Sequence, residues 1–222
     1  MAFSRKLIPE TPIETGDVTA LAVGIGMNFA THAKSQPNIE DSLLAISSEA
    51  LRSEDWRLLS VLVTWLGTHI ARVNADRLIR LVELQEDPRV RALWFALARW
   101  QRKDRRFARL ASKRTRQRLP LLAVGTEFQI NRHGEDPRFE GSALIVPANL
   151  LRDRPDDVLT PTALAKRHRA YRSRVVMGPS YRADMWAELE AHPNLSAAEL
   201  ARRTYGSFAT AWQVVRDRAI AR

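Results

Sequence analysis

Cysteine is absent from the 222 residues, which excludes a disulfide framework, a cysteine nucleophile and any zinc site built on thiolates. No apolar run reaches the length of a bilayer span. The basic N-terminus, residues 1–17, has no continuous apolar region behind it and does not read as a secretory signal. Enzyme signatures are missing as well: the chain contains no HExxH, no Walker lysine and no GxSxG. Its five histidines (His32, His69, His133, His168, His192) stand apart from one another. His69 falls in an apolar helix, where a hydrogen-bonded core role is expected. Glu135, Asp136 and Glu140 read as an acidic turn rather than as a metal site. These absences lead to the expectation of a cytoplasmic protein that is not an enzyme, with no catalytic residues, metal, cofactor or membrane contact.

Positive charge is what the chain has in excess. It carries 35 Lys+Arg against 25 Asp+Glu, a net of +10, and such a balance predisposes a protein to nucleic acid, acidic membranes or an acidic protein. The excess is local: residues 1–98 hold 10 basic and 12 acidic side chains, whereas residues 99–118 hold 10 basic and one acidic. That segment, "RWQRKDRRFARLASKRTRQR", repels itself and is stabilised when phosphates neutralise it. Eight of its ten cations are arginine, which favours bidentate grips on phosphate or carboxylate. Arg102, Arg105, Arg106, Arg109, Lys113 and Arg116 form its candidate nucleic-acid surface, one that positions without reading sequence. The plainer alternatives are a solvated helix face and a complement to an acidic surface.

Apolar spacing predicts helices from about residue 17 to residue 117. The first covers Asp17 to Ala33. Gly24 and Gly26 there resemble part of a dinucleotide fingerprint, but Phe29 stands where the third glycine belongs, so close helix packing is the reading. Asn38 or Asp41 caps a helix through Leu51, and Ser53-Glu54-Asp55 starts a central one. Asn74 caps the next, which Asp87-Pro88 stops. The basic segment makes the last helix of this part. Farther on, Phe128 and Ile130 alternate, Gly134–Pro137 turns and Ala143–Val146 is apolar, which predicts a small β-hairpin. "RDRPDDVLTPT" reads as a linker and residues 162–176 as a second basic helix. The six tryptophans are expected on core faces, Trp212 included, although an exposed indole there would stack on a base.

The last forty residues carry the most information. Ser196 is a good N-cap, with Glu199 where a capping box closes, and Leu195, Leu200 and Ala201 form an inward face. A turn follows at Thr204-Tyr205-Gly206, where Gly206 supplies a positive φ. A second helix starts at Ser207 and sends Phe208, Ala211, Trp212 and Val215 to the core. This is the pattern of a helix-turn-helix, with residues 180–191 as its third helix. "SAAELARR" at 196–203, with Ser207, Ala209 and Thr210, resembles the helix-turn-helix domains of bacterial transcription regulators, including the ArsR and MarR families. Two departures stand out. Tyr205 displaces the turn glycine by one position, and no β-wing follows the second helix, so a three-helix form is expected. "RSRVVMGPSYRADMWAEL" ahead of the motif also resembles proteins encoded beside bacterial toxin-antitoxin nucleotidyltransferases.

The expected fold is therefore mainly α. A helical bundle or array covers 1–118 and ends in a basic helix; a small β-hairpin, linker and basic helix cover 119–178; a three-helix helix-turn-helix domain covers 179–222. The resemblance implies sequence-specific binding of double-stranded DNA by a prokaryotic transcription regulator, with a homodimer as the usual arrangement. Ser207, Phe208, Thr210 and Gln213 would face base edges, and Arg182, Arg202, Arg203 and Arg216 would grip phosphates. Phe208 is divided between this role and the core. The rival expectation is an antitoxin-like or adaptor protein whose N-terminal helical domain holds an acidic protein partner. A third is an RNA-binding protein that works through residues 99–118 and 166–174.

Overall fold

Capping side chains divide the chain into its helices, over residues 15–33 and 36–221 described by the computed structural model. After α1 (Thr15–Gly24), Asn38 accepts from the Asp41 amide at 3.1 Å and starts α2 (Ile39–Arg52). Asp55 accepts from Leu58 at 2.9 Å and starts α3 (Trp56–His69). Asn74 caps α4 (Ala75–Glu83), and Asp87 caps α5 (Pro88–Trp100), whose proline sits where a missing N–H costs nothing. α1 stops short of the predicted Ala33. Gly26 turns the backbone to φ +94°, and a Cβ there would lie 2.9 Å from Leu164 Cδ1. The glycine thus serves a close approach between distant parts of the chain.

The basic segment is not the helix predicted for it. A 3-10 turn at Arg105–Phe107 leads into α6 (Ala108–Ala111), and the chain then runs without helix to β1 (Leu119–Pro120). Only Phe107 and Leu110 in this turn and α6 are buried, and so few apolar contacts do not sustain a longer helix. The β-hairpin is also corrected. β1 pairs in parallel with β2 (Leu144–Ile145), and α7 (Thr126–His133) occupies the stretch read as a strand. The alternation of Phe128 and Ile130 was too short to distinguish the two periods. Parallel pairing needs a crossover of a dozen or more residues, and the segment with α7 supplies it.

The stretch read as a linker is strapped down. The Leu159 amide donates to the Gly26 carbonyl at 2.8 Å, and the Arg154 amide to Thr64 Oγ1 at 3.0 Å. The predicted second basic helix is two helices, α8 (Pro161–Arg167) and α9 (Arg169–Met177), with His168 extended between them. Last come α10 (Tyr181–Ala191), α11 (Ala197–Thr204) and α12 (Phe208–Ile220).

α3 is central, as its apolar circumference predicts: Leu59, Val61, Leu62, Val63 and Trp65 are completely buried. One apolar cluster runs from Val18 to Tyr171, and a second, smaller one joins α10, α11 and α12. No helix among the described residues is long and apolar enough to cross a membrane.

A polar network lies between the two. Arg174 of α9 is fully buried, and all its N–H groups are directed at acceptors. Nε and Nη2 donate to the Asp184 carboxylate of α10 at 2.7 and 2.8 Å. Nη1 and Nη2 donate to Glu40 of α2 at 2.6 and 2.9 Å, and Nη1 also to the Arg72 carbonyl at 3.1 Å. Glu40 accepts the Asn74 amide at 2.7 Å as well. Burial works against the guanidinium charge, but the Glu40 and Asp184 carboxylates outweigh it and raise its pKa above the ordinary value. Arg174→Met would leave two buried carboxylates facing each other, an expected loss of about 3–5 kcal/mol of folding stability. Urea denaturation checks it; a midpoint unchanged from the parent would mean that the network is not under load.

Two histidines pack beside this network. His69 Nε2–H donates to the Leu159 carbonyl (3.0 Å), so its Nδ1 accepts from the Tyr171 hydroxyl (2.8 Å). His168 Nε2–H donates to the Pro37 carbonyl (3.0 Å), and its Nδ1 caps α9 by accepting the Tyr171 amide (3.2 Å). Burial pushes both down from 6.5 to about 4; at His168 the nearby Arg174 and Arg169 add to the depression, and Glu40 opposes it. The unfolded chain therefore takes up these protons near pH 6.5, but the folded chain only near pH 4. Their contribution is complete above pH 6.5 and is lost as pH falls through this window, by about 3 kcal/mol for each ring. Denaturation at pH 7 and pH 4.5 should show the loss, with a smaller slope in His168→Asn, whose amide can still cap α9.

Candidate nucleic-acid interface

Ser180, Ser196 and Ser207 start the three C-terminal helices, each accepting from the backbone amide three residues on. Met185 and Leu189 of α10, Leu200 of α11, and Ala211 and Val214 of α12 close their small core. The capping box forms only halfway. Ser196 Oγ accepts the Glu199 amide at 3.2 Å, while the Glu199 carboxylate turns to Arg203 at 2.8 Å.

The turn works differently from its expected form. Tyr205, not Gly206, takes the left-handed conformation, at φ 59°. Gly206 gives room instead: a Cβ there would lie 2.2 Å from Met185 Cε, so the methionine would have to shift, and 3.3 Å from Tyr181 Cβ. The Tyr205 ring lies 3.4 Å from the guanidinium carbon of Arg77, which is buried in α4. Arg77 also pairs with Asp41 of α2 and donates to Asn38 Oδ1 at 3.1 Å. Burial, and then the Asp41 carboxylate that shares a hydrogen bond with the phenol, raise the Tyr205 pKa. The displaced turn glycine thus has a physical reason. Tyr205 docks the module onto α2 and α4.

α12 buries only Ala211 and Val214. Phe208 is 59% exposed and Trp212 50%, which corrects the expectation of a core Trp212 and puts Phe208, divided between core and surface, on the solvent side. With Gln213 and Arg216 they make one continuous solvent face, and the Arg216 guanidinium lies 5.1 Å from the Trp212 ring centre. Thr210 is half-buried, and its hydroxyl is 2.8 Å from that of Ser207, the cap, so these two serve each other. The phosphate-gripping candidates are divided. Arg182 pairs with Asp217 at 2.9 Å, and Arg203 with Glu188 at 3.0 Å as well as with Glu199. Arg202, 3.8 Å from Glu199, projects into solvent.

The basic segment divides in the same way. Arg106 turns inward and donates to the carbonyls of Val73 at 3.0 Å and Ile70 at 2.9 Å. Arg109 pairs with Glu83 at 2.7 Å, and Lys113 approaches the same carboxylate at 4.0 Å. Arg102, Arg105 and Arg116 are exposed. Sequence reasoning missed Arg174, Glu40, Asp184, Arg77 and the docking role of Tyr205. The signal open to it was a non-glycine residue at the position where helix α11 ends. Glu135 and Asp136 of the acidic turn hold Arg118 and Arg138, and no group of three or more potential metal ligands occurs among the described residues. The chain matches no family model, no curated protein and no solved structure.

Tyr205→Gly separates docking from backbone conformation. Glycine would relieve roughly 1–2 kcal/mol of left-handed strain but would lose a cation–π contact with the buried Arg77 worth about 2 kcal/mol, and the half-buried ring with it. Net destabilisation is expected in urea unfolding, whereas stabilisation would show that the ring carries no docking energy.

Proposed function

We propose that this chain is a DNA-binding protein of the transcription-regulator type, which presents α12 to the major groove of duplex DNA. The carrying observation is the open face of α12: Phe208, Trp212, Gln213 and Arg216 face solvent on a helix held from behind by α10 and α11. Gln213 offers an amide suited to an adenine edge, and Trp212 an indole able to stack or pack on a base. The module itself is close to neutral, with six arginines and five carboxylates from residue 179 onward. Phosphate attraction must therefore come largely from elsewhere. Arg102, Arg105 and Arg116 are its sources in this reading. α4 links them to the module, since Arg77 holds Tyr205 and Glu83 holds Arg109, only about 9 Å farther along the helix rise. A cytoplasmic location and a homodimer on two half-sites belong to the same proposal.

A second reading has its own observation. Phe208, Trp212 and Ile220 expose apolar surface along α12, as a helix that docks on a protein would, so an adaptor or antitoxin-like role competes. Selection of full-length protein against random duplex DNA at near-physiological salt tests both. An enriched motif is expected, with Gln213→Ala altering preference at one position by about 1–3 kcal/mol. Trp212→Ala should weaken binding to the selected site. If selection yields no motif and Gln213→Ala binds all duplexes as the parent does, α12 is not a sequence reader and the protein-docking reading takes its place.

A further inference from the structure

Beyond α6, residues 113–118 run beside the loop that enters β2, and a cleft of about 170 Å³ opens between them. Arg99, Lys113, Arg114, Thr115 and Arg118 line it, with Gly141, Ser142 and Ala143. Four cations border one small space, and none of its lining residues is acidic.

The four differ in their availability. Arg118 is a fixed wall: it pairs with Glu135 and donates to the carbonyls of Ser142 at 2.8 Å and Leu144 at 2.9 Å. Its charge is answered within the fold. Lys113 stands 4.0 Å from a carboxylate already held by Arg109. Arg99 and Arg114 are exposed and have no ion-pair partner among the described residues. Gly141, at φ +64°, borders the Arg99 guanidinium: an added Cβ would make an ordinary van der Waals contact with Nη2, at 3.7 Å. Like charges gathered around one small space repel one another, and an entering anion relieves that repulsion. Arginine presents paired donors suited to phosphate oxygens, and Thr115 adds a hydroxyl. Sites for whole drug-sized ligands begin at roughly 300 Å³, so this space suits a phosphoryl group and not an entire nucleotide.

We propose that this cleft is an oxyanion site that seats one phosphoryl group, carried by a small phosphorylated ligand or by a nucleic-acid backbone. Neither Arg99 nor Arg114 belongs to the candidate DNA surface, and the proposal stands whether or not α12 reads DNA. The test is calorimetric titration of the full-length protein with inorganic phosphate and pyrophosphate, against chloride at matched ionic strength. Saturable binding is expected in the parent. The Arg99→Gln/Arg114→Gln double variant should weaken it about tenfold or more, the loss of at least one charge-assisted hydrogen bond. Arg91→Gln/Arg132→Gln, which removes two exposed arginines outside both the cleft and the candidate DNA surface, should leave it unchanged.

A parent no better with phosphate than with chloride, or equal losses in both double variants, would overturn the site. The source of the phosphoryl group follows from a second arm, competition of pyrophosphate with a labelled random duplex. Displacement of the duplex, with weaker duplex binding in Arg99→Gln/Arg114→Gln, assigns the seat to a backbone phosphate. Saturable pyrophosphate binding without displacement assigns it to a small ligand.

Discussion

The arrangement of this protein depends on one buried cation. Arg174 is fully buried, so every element that supplies it with an acceptor must be in place before its charge is tolerable. Those elements are α2 through Glu40, α10 through Asp184 and the turn before α4 through the Arg72 carbonyl. A buried ion network gains little over apolar side chains of similar volume, because desolvation offsets much of the attraction. Its effect here is geometric. Directional hydrogen bonds fix α9 and α10 against the N-terminal helices in a way that a greasy contact, free to slide, would not.

Arg77 and Tyr205 make the second fastening. Both fastenings join the N-terminal helices to the C-terminal module through arginine, once by carboxylates and once by an aromatic face. The module's own core is small, with Met185, Leu189, Leu200, Ala211 and Val214 as its buried residues. Part of the rigidity of α12 must therefore come from what α10 and the turn are bolted to. That leaves the outer side of α12 unencumbered, while most of its neighbouring arginines are restrained by carboxylates.

Much of the fold was legible in sequence because capping is local chemistry. Asn74 and Ser196 announce helix starts and cap them; so do Asn38, read as a cap alongside Asp41, and Asp55, read with Ser53 and Glu54, while Asp87, read as the stop of α4, also caps α5. The periods of α3 and α11 likewise place their buried faces. Failures came where a local pattern was short or where distant residues decide. Phe128 and Ile130 fit two periods equally. Arg174 sits among five cations in residues 166–174, with nothing nearby to show that it alone meets carboxylates 134 and 10 residues away. Of the candidate site, the second helix and its Gln213 and Arg216 were readable. The outward turn of Trp212 was not, and Phe208 was left between two sides, because the core behind α12 is so narrow that Ala211 and Val214 fill it.

The place of Asp184 has a consequence for how this module could have been acquired. Small terminal helical modules are often imagined as cassettes, exchangeable among proteins by recombination at a linker. Here a transfer of residues 179–221 would carry away a carboxylate whose cation stays behind in α9, and a tyrosine whose arginine stays behind in α4. The recipient would inherit a carboxylate without its cation, and the donor two arginines that each lose one partner. A substitution at Arg174 or Arg77 therefore reaches the module as directly as it reaches the N-terminal helices.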